Sequence, residues 1–455
     1  MKLISGHGLD DVLAWRPTGP VRVREFLADA RAVAGTLPPG DGVLNLCEDR
    51  YHFAVLFAAC LLTGKVSLQP SSHSADTLQR LALDHPGCFA VLDGAFDAAG
   101  LPCVAFPALA SLTRAPVDTV PDIDEHQVAA ILFTSGSTGV PQAQAKTWGR
   151  LVQNGRSEAA ALGLDRRPHV LVGTVPVQHS YGFESTFLLA LHGGCSFWSG
   201  KPFYPQDVIE ALEAVPRPRM LVTTPYHLSA LLGSELTWPA LDICLSATAP
   251  LGTELAARVE QRSGAPVHEI YGSTESGQLA TRRTTDGPAW QLLPGVRLGQ
   301  ENDTTWASDG HVEGRVPLSD IIELQGEGRF LLHGRHADLV NIAGKRSSLA
   351  YLNHQLCAID GVQDGAFFLP DGADEAVDGI TRLTAFVVAP GVSAQTLQAA
   401  LRQRIDRVFL PRPLVFVDAL PRNDTGKLLR ATLLALYQQH VRPGLQKPGT
   451  DHGRV

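Results

Sequence analysis

Apolar positions along this chain follow two periods. Val21–Ala34 repeats its hydrophobic residues at the spacing of an amphipathic helix, and Gly42–Cys47 (GVLNLC) is an apolar run of strand length. Leu78–Leu83 reads as helix and Phe89–Leu92 (FAVL) as strand. From residue 128 the alternation continues: VAAILF, a Gly/Ser/Thr loop, a helical stretch, then the strand HVLVGTVPV. Thr186–Leu191, Tyr226–Leu232 and Leu251–Ser263 predict helices, while Cys195–Trp198, MLVTTP, LDICLSAT and VHEIYG predict strands. Such alternation points to α/β layers. The run Phe53–Leu62 (FAVLFAACLL) falls well short of the ~20 residues that a membrane span needs and predicts a buried helix.

The pattern changes near 300–345. Short strands (HVEGRVPL, IIELQ, RFLLHG) lead there into GRHADLVNIAGKR. Beyond it, Leu349–Ile359, Ala394–Asp406 and Leu428–His440 predict helices, and GAFFLP, TRLTAFVVAP and LVFVDALP predict strands. The expected fold class is α/β: a large multi-layer α/β N-terminal domain over 1–334, a break at 335–338, and a small α+β C-terminal domain over 339–455. A chain of 455 residues has ample length for such a division.

Composition narrows the class. With 44% hydrophobic and 18% charged residues the chain is neither disordered nor collagen-like. A net charge of −8 argues against a general nucleic-acid binder. The start, MKLISGHGLDDVL, lacks an apolar stretch followed by a small-residue cleavage site, so no signal peptide is expected. Seven scattered cysteines without a CxxC pair fit small buried thiols in a reduced, cytoplasmic chain rather than a disulfide or zinc framework.

The most informative stretch is Ile131–Pro141, ILFTSGSTGVP, where an apolar strand runs into small and hydroxyl residues. Glycines let backbone N–H groups approach a polyanion, and Ser/Thr hydroxyls add donors, so the stretch suits a phosphate cradle. No Walker A pattern fits it, which removes the usual P-loop kinase or NTPase reading. Taken alone it is also compatible with a flexible Ser/Gly turn.

Taken with four further stretches, it resembles the adenylate-forming superfamily of acyl-CoA synthetases, luciferases and peptide-synthetase adenylation domains. Thr134, Ser135, Gly136, Ser137, Thr138, Gly139, Val140 and Pro141 match that family's phosphate-loop signature. Tyr271, Gly272, Ser273, Thr274 and Glu275 match the second. Asp320 stands where the family has a ribose-binding aspartate. Gly334, Arg335, His336, Ala337 and Asp338, followed by Gly344, Lys345 and Arg346, match the hinge signature. The stretch from Pro421 to Lys427 (PRNDTGK) matches the C-terminal catalytic-lysine loop. The resemblance covers essentially the whole chain.

The resemblance implies ATP and Mg²⁺ as cofactors and two half-reactions. A carboxylate first joins the α-phosphate of ATP, releasing pyrophosphate; a thiol, on CoA or an acyl carrier protein, then takes the acyl group. It implies that Thr134–Gly139 hold the β/γ-phosphates, Glu275 ligates Mg²⁺, and Tyr271 stacks on adenine. Asp320 would accept the ribose hydroxyls beside Arg335, and Lys427 would reach the α-phosphate. Negative charge concentrates on phosphate oxygens in such a transition state, which is why aligned donors and cations are needed. The small domain would be a mobile lid turning about Asp338 between the two steps.

For the acid, Gln178-His179-Ser180-Tyr181-Gly182-Phe183 aligns with the family's acyl-pocket segment. His179 is either a gate residue or a core histidine. Tyr181, Phe183 and Tyr226 suit a flat ring or ordinary core packing. Gly272, Gly277 and Gln278 are the remaining candidate wall residues. A narrower resemblance is to the small aryl-acid-activating ligases of aryl-polyene and xanthomonadin pigment pathways, which implies an aromatic acid such as 4-hydroxybenzoate and a carrier protein. The chain departs from the family at Gln142, where the phosphate loop usually has lysine, at Leu318-Ser319-Asp320 in place of Thr-Gly-Asp, and at Asn341, often a lysine. Between 380 and 455, eleven cations face four anions, a basic segment in an acidic chain. Another acid and a non-catalytic adenylate-binding homologue remain the alternatives.

Overall fold

The computed structural model describes residues 1–70, 73–98, 100–134, 142–302, 304–335, 339–342, 345–370, 382–422 and 428–441. The chain divides into two compact units, Met1–Leu318 with Leu324–Leu331, and Ser319–Glu323 with Leu332–Val455.

The first unit is built on two large sheets. In one, Val12–Arg16, Ser196–Trp198, Val170–Gly173, Arg219–Thr223, Ile243–Ser246 and Val267–Ser273 lie side by side in parallel. Gly277–Arg283 and Ala289–Leu292 extend it antiparallel. The other sheet orders Cys103–Ala105, Phe89–Leu92, Gly42–Asn45, Val66–Gln69 and Val128–Thr134 in parallel, with Gln142–Thr147 antiparallel at its edge.

The period-2 geometry of a strand explains why these runs are apolar throughout. Leu171, Met220, Val222 and Leu245 face one core, shared with the helices Val23–Ala34 and Arg50–Leu62 and with Val43 and Ala129 of the other sheet. Val172, Leu221 and Cys244 face the opposite way, onto the helices Pro205–Glu213, Pro225–Gly233 and Thr253–Ser263. The FAVLFAACLL run is the buried helix expected of it, begun by Asp49, whose carboxylate accepts from Tyr51 N and His52 N. Among the described residues no helix is long and apolar enough to cross a membrane.

In the second unit, Asp364–Phe368 pairs antiparallel with Thr384–Val388, which pairs in parallel with Leu414–Phe416. Phe367 and Val387 pack on Leu352, Leu397 and Leu401 on one face, while Phe368 and Phe386 meet Tyr437 on the other. Arg422 grips Asp364 through two bonds of 2.8 and 2.6 Å, anchoring the chain just before residue 423.

Three expectations need correction. The residues after the phosphate loop form a strand, Gln142–Thr147, before the helix Trp148–Ala161 begins; the alternation Gln-Ala-Gln-Ala-Lys-Thr is a strand pattern that the loop and helix reading passed over. Cys103 and Cys357 are exposed, whereas the other five thiols are buried. Phe183, expected at the acyl pocket, is fully buried among Phe53, Phe57 and Phe187, with ring centroids 5.3–6.4 Å away.

Candidate active site

The second signature forms a tight turn between two antiparallel strands. Gly272 pairs with Gln278 and Ser273 with Gly277, after an irregularity at Tyr271. A Cβ on Gly272 would lie 2.3 Å from the Gly277 carbonyl oxygen, and Gly277 has φ +72°, so both positions require glycine. Ser273 and Ser276 lock the turn reciprocally: Ser273 N donates to Ser276 Oγ and Ser276 N to Ser273 Oγ, each at 3.2 Å. Thr274 and Glu275 sit at the half-exposed tip.

Lys146 holds that tip from below. Its Nζ donates to the Glu275 carbonyl at 2.7 Å, and the side chain is buried. Burial pulls the Lys146 pKa down, opposed by the charges of Glu184, Glu313 and Glu275. Next to it, Thr147 donates to Glu313 through both N and Oγ1, at 2.9 and 2.6 Å. Tyr271 stands half-buried against Trp290 and Phe330, both at 5.7 Å.

The segment 178–183 hangs from the end of the strand Val170–Gly173. Arg50 fixes this connection: its guanidinium donates to the Gly173 carbonyl at 2.8 Å, the Val175 carbonyl at 2.5 Å and Thr186 Oγ1 at 3.3 Å. Burial lowers its pKa to about 10. His179 is half-buried just before the helical turn Ser180–Gly182. Tyr181 donates its hydroxyl to the Leu245 carbonyl at 3.0 Å, and burial pushes that phenol well up. Tyr226 opens the helix Pro225–Gly233, 45% exposed, edge-on to His227. Gln278 is buried, donating to Ser185 Oγ at 2.6 Å.

The structure therefore gathers Tyr271, Gly272, Ser273, Thr274, Glu275, Gly277 and Gln278 on one hairpin. Asp320 belongs to the second unit, at the start of the strand Asp320–Gly326. Arg335 ends the strand Arg329–Arg335 in the same unit, its side chain outside the described residues. The side chain of Thr134 and all of Ser135, Gly136, Ser137, Thr138, Gly139, Asp338 and Lys427 lie outside them too. Sequence reasoning missed Arg50, Glu158 and Glu184. A charged residue inside an apolar helix pattern was the available signal for Glu158, but nothing local marks the others as buried.

Among the described residues no group of three or more His, Cys, Asp or Glu could hold a metal ion. A lone half-exposed carboxylate such as Glu275 still suits Mg²⁺, which keeps waters and phosphate oxygens in its shell and takes one or two protein carboxylates.

The profile of the family described as AMP-binding enzyme matches residues 23–304, and that of the AMP-binding enzyme C-terminal domain matches 355–427. A 4-coumarate–CoA ligase from Rhodobacter capsulatus is 30% identical over 303 residues, 66% of this chain and 74% of the relative. A salicylyl-CoA synthase / salicylate adenylyltransferase from a Streptomyces species is 25% identical over 485 residues, 88% of this chain and 85% of the relative. Among solved structures, ATP-bound MatB from Rhodopseudomonas palustris matches with a TM-score of 0.78 at 21% identity, covering 94% of this chain and 96% of that one. O-succinylbenzoate coenzyme A synthetase from Bacillus subtilis, in complex with ATP and magnesium ion, gives 0.78 at 20% identity, covering 93% and 97%. These structural likenesses establish the fold.

Proposed function

The chain belongs to the AMP-binding enzyme family, and from that membership we propose that it joins an aromatic carboxylic acid to the α-phosphate of ATP, releases pyrophosphate, and passes the acyl group to a thiol. Adenylate-forming acid–thiol ligation is the chemistry of its named relatives, which are aryl- and acyl-CoA ligases. The finer reading takes 4-hydroxybenzoate as the acid and a phosphopantetheinylated acyl carrier protein, or CoA, as acceptor, in the cytoplasm. The aryl substrates in the relatives' names and the resemblance to pigment-pathway ligases support the acid. The basic segment 380–455 supports an anionic acceptor, because opposite potentials raise the encounter rate.

The observation that carries the reading is the 273–277 turn, in which paired serines and Lys146 fix the backbone that presents Glu275. In the proposed reaction Thr134–Gly139 donate to the β- and γ-phosphates, and Tyr271 offers its ring to adenine. Asp320 and Arg335 hold the ribose. Glu275 provides an oxygen ligand for Mg²⁺, which neutralises phosphate charge when bound. Lys427 donates to the α-phosphate and substrate carboxylate as charge builds there. His179, Tyr181, Tyr226 and Gln278 line the acid's approach. Asp338 is the hinge between domains 1–334 and 339–455, letting the lid serve the two half-reactions in turn.

The test is ATP–pyrophosphate exchange against a panel of aryl and alkyl acids, followed by CoA or carrier protein as acceptor at low and high salt. Acid-dependent exchange is expected. Its absence with every acid would favour a non-catalytic homologue, a reading motivated by Gln142. Lys427→Ala should lower exchange by about 10²-fold or more while leaving the melting temperature unchanged. Near-normal adenylate formation by that variant would sink the lysine's role.

A further inference from the structure

Lys427, read above as the adenylation cation, belongs to a stretch of chain that is tied on both sides to one strand of the second unit. Ahead of residue 423, Arg422 forks onto Asp364, the first residue of the strand Asp364–Phe368, through Nε at 2.8 Å and Nη2 at 2.6 Å. After residue 427, Arg430 donates Nη2 to the Leu369 carbonyl at 2.9 Å, just past the other end of that strand, and lies over the Phe368 ring at 5.1 Å. Apolar side chains repeat the arrangement. Leu420 belongs to the small core that includes Phe368, Phe386 and Tyr437, and Leu428 packs on it. Lys427 immediately precedes Leu428.

This is more than a surface ion pair. The Arg422 and Asp364 side chains are 20% and 22% exposed, whereas those of the Lys345–Asp406 pair in the same unit are 57% and 39% exposed. Exposed pairs contribute little, and a bidentate arginine–carboxylate fork fixes direction as well as distance. Asp364 Oδ1 also accepts from Gly365 N at 2.8 Å, so the carboxylate is itself held by its strand. A catalytic lysine needs such support. Its ammonium is a point charge on a flexible four-carbon stem, without the rigid fork of arginine. Unless the backbone beneath is fixed, bringing that charge to one phosphate oxygen costs entropy, and a misplacement of ~1 Å can cost about 10²-fold in rate.

We propose that Arg422 and Asp364, with Arg430 on the far side, are positioning residues for Lys427, fixing the chain on either side of it so that its ammonium is presented to the α-phosphate in the first half-reaction. The proposal rests on the adenylation role of Lys427 and adds to it the groups that deliver the charge. None of the three side chains touches ATP or acid in the proposed reaction. Their loss therefore lowers turnover and leaves substrate affinity in place, the pattern of an interaction that matters in the transition state alone.

The experiment is pyrophosphate exchange by the full chain, with ATP and whichever acid of the panel above reacts fastest. Arg422→Gln and Asp364→Asn should each lower kcat by about 10-fold or more, with KM for ATP and for the acid within about two-fold of the parent. Arg422→Lys, which keeps the charge and loses the fork, should fall between. In a Lys427→Ala background Arg422→Gln should have no further effect, because the support then has nothing to position. Should Arg422→Gln fail to fold, as its melting temperature reads, Arg430→Gln measures the same coupling from the other side. Two results would overturn the proposal: an unchanged kcat, or a loss that multiplies with that of Lys427→Ala, as a general weakening of the small domain gives. Near-normal exchange by Lys427→Ala removes the lysine's role and the proposal with it. A full loss at Lys427 beside a parental kcat in Arg422→Gln removes the proposal alone.

Discussion

At the scale of single residues, burial decides what a charged side chain can do. Glu158 sits at 0% exposure, and its pKa of about 8 lies above its ordinary value of 4.5. The folded chain therefore keeps a proton that the unfolded chain releases between those values. The group's contribution to stability is whole below about pH 4.5 and is lost as the pH rises towards 8. Glu158→Gln removes that titration, so its melting temperature should lie close to the parent's at pH 5 and above it at pH 8. An equal difference at both values would contradict the buried-acid account. Lys146 acts differently, through the 2.7 Å bond to the Glu275 carbonyl. Lys146→Met should weaken Mg²⁺-dependent ATP binding by about 10-fold, the scale seen when groups behind a metal ligand are lost. Calorimetric titration of ATP with and without Mg²⁺ reads this, and loss of the same size without Mg²⁺ would speak against it.

At the scale of elements, the hairpin Val267–Ser273 / Gly277–Arg283 joins the site's parts because its turn is too tight for side chains. Gly272→Ala would put a methyl 2.3 Å from a backbone oxygen, which no rotamer change relieves. The turn must open, at a cost of about 1–3 kcal/mol. A lower melting temperature together with a raised KM for ATP is expected; an unchanged KM would separate this turn from the nucleotide. The strand Gln142–Thr147 illustrates the same dependence on partners. Four of its six residues are polar, yet pairing with Val128–Thr134 brings Lys146 inward under that turn.

At the scale of the whole molecule, the two half-reactions need different groups around one bound acid, and the proposed answer is domain rotation about Asp338. Asp338→Pro, which restricts the backbone there, should spare pyrophosphate exchange and depress thioester formation. Equal losses in both steps would count against the hinge. The second unit is compact on its own core, with Phe367, Val387, Leu397 and Leu401 on one face of its sheet. A unit with its own core can move as a body.

The sequence by itself determined the α/β class, most strands and helices, and the two-part organisation. These rest on local apolar periodicity and on runs such as MLVTTP, whose alternate residues serve two cores. It also singled out Tyr271–Glu275, through the resemblance to a family signature, and the turn they form shows why Gly272 and Ser273 stand there. The strand Gln142–Thr147 escaped it, because its Gln/Ala alternation is short and carries no large apolar residue, and pairing with Val128–Thr134 completes it. Only the tertiary structure decided that Phe183 belongs to the aromatic core and that Arg50 ties down the 173–186 connection. It alone brought Glu158, Asn154 and Gln278 together. Residues more than a hundred positions apart meet there through sheet order and helix packing, and whether a carboxylate is solvated or buried depends on those neighbours.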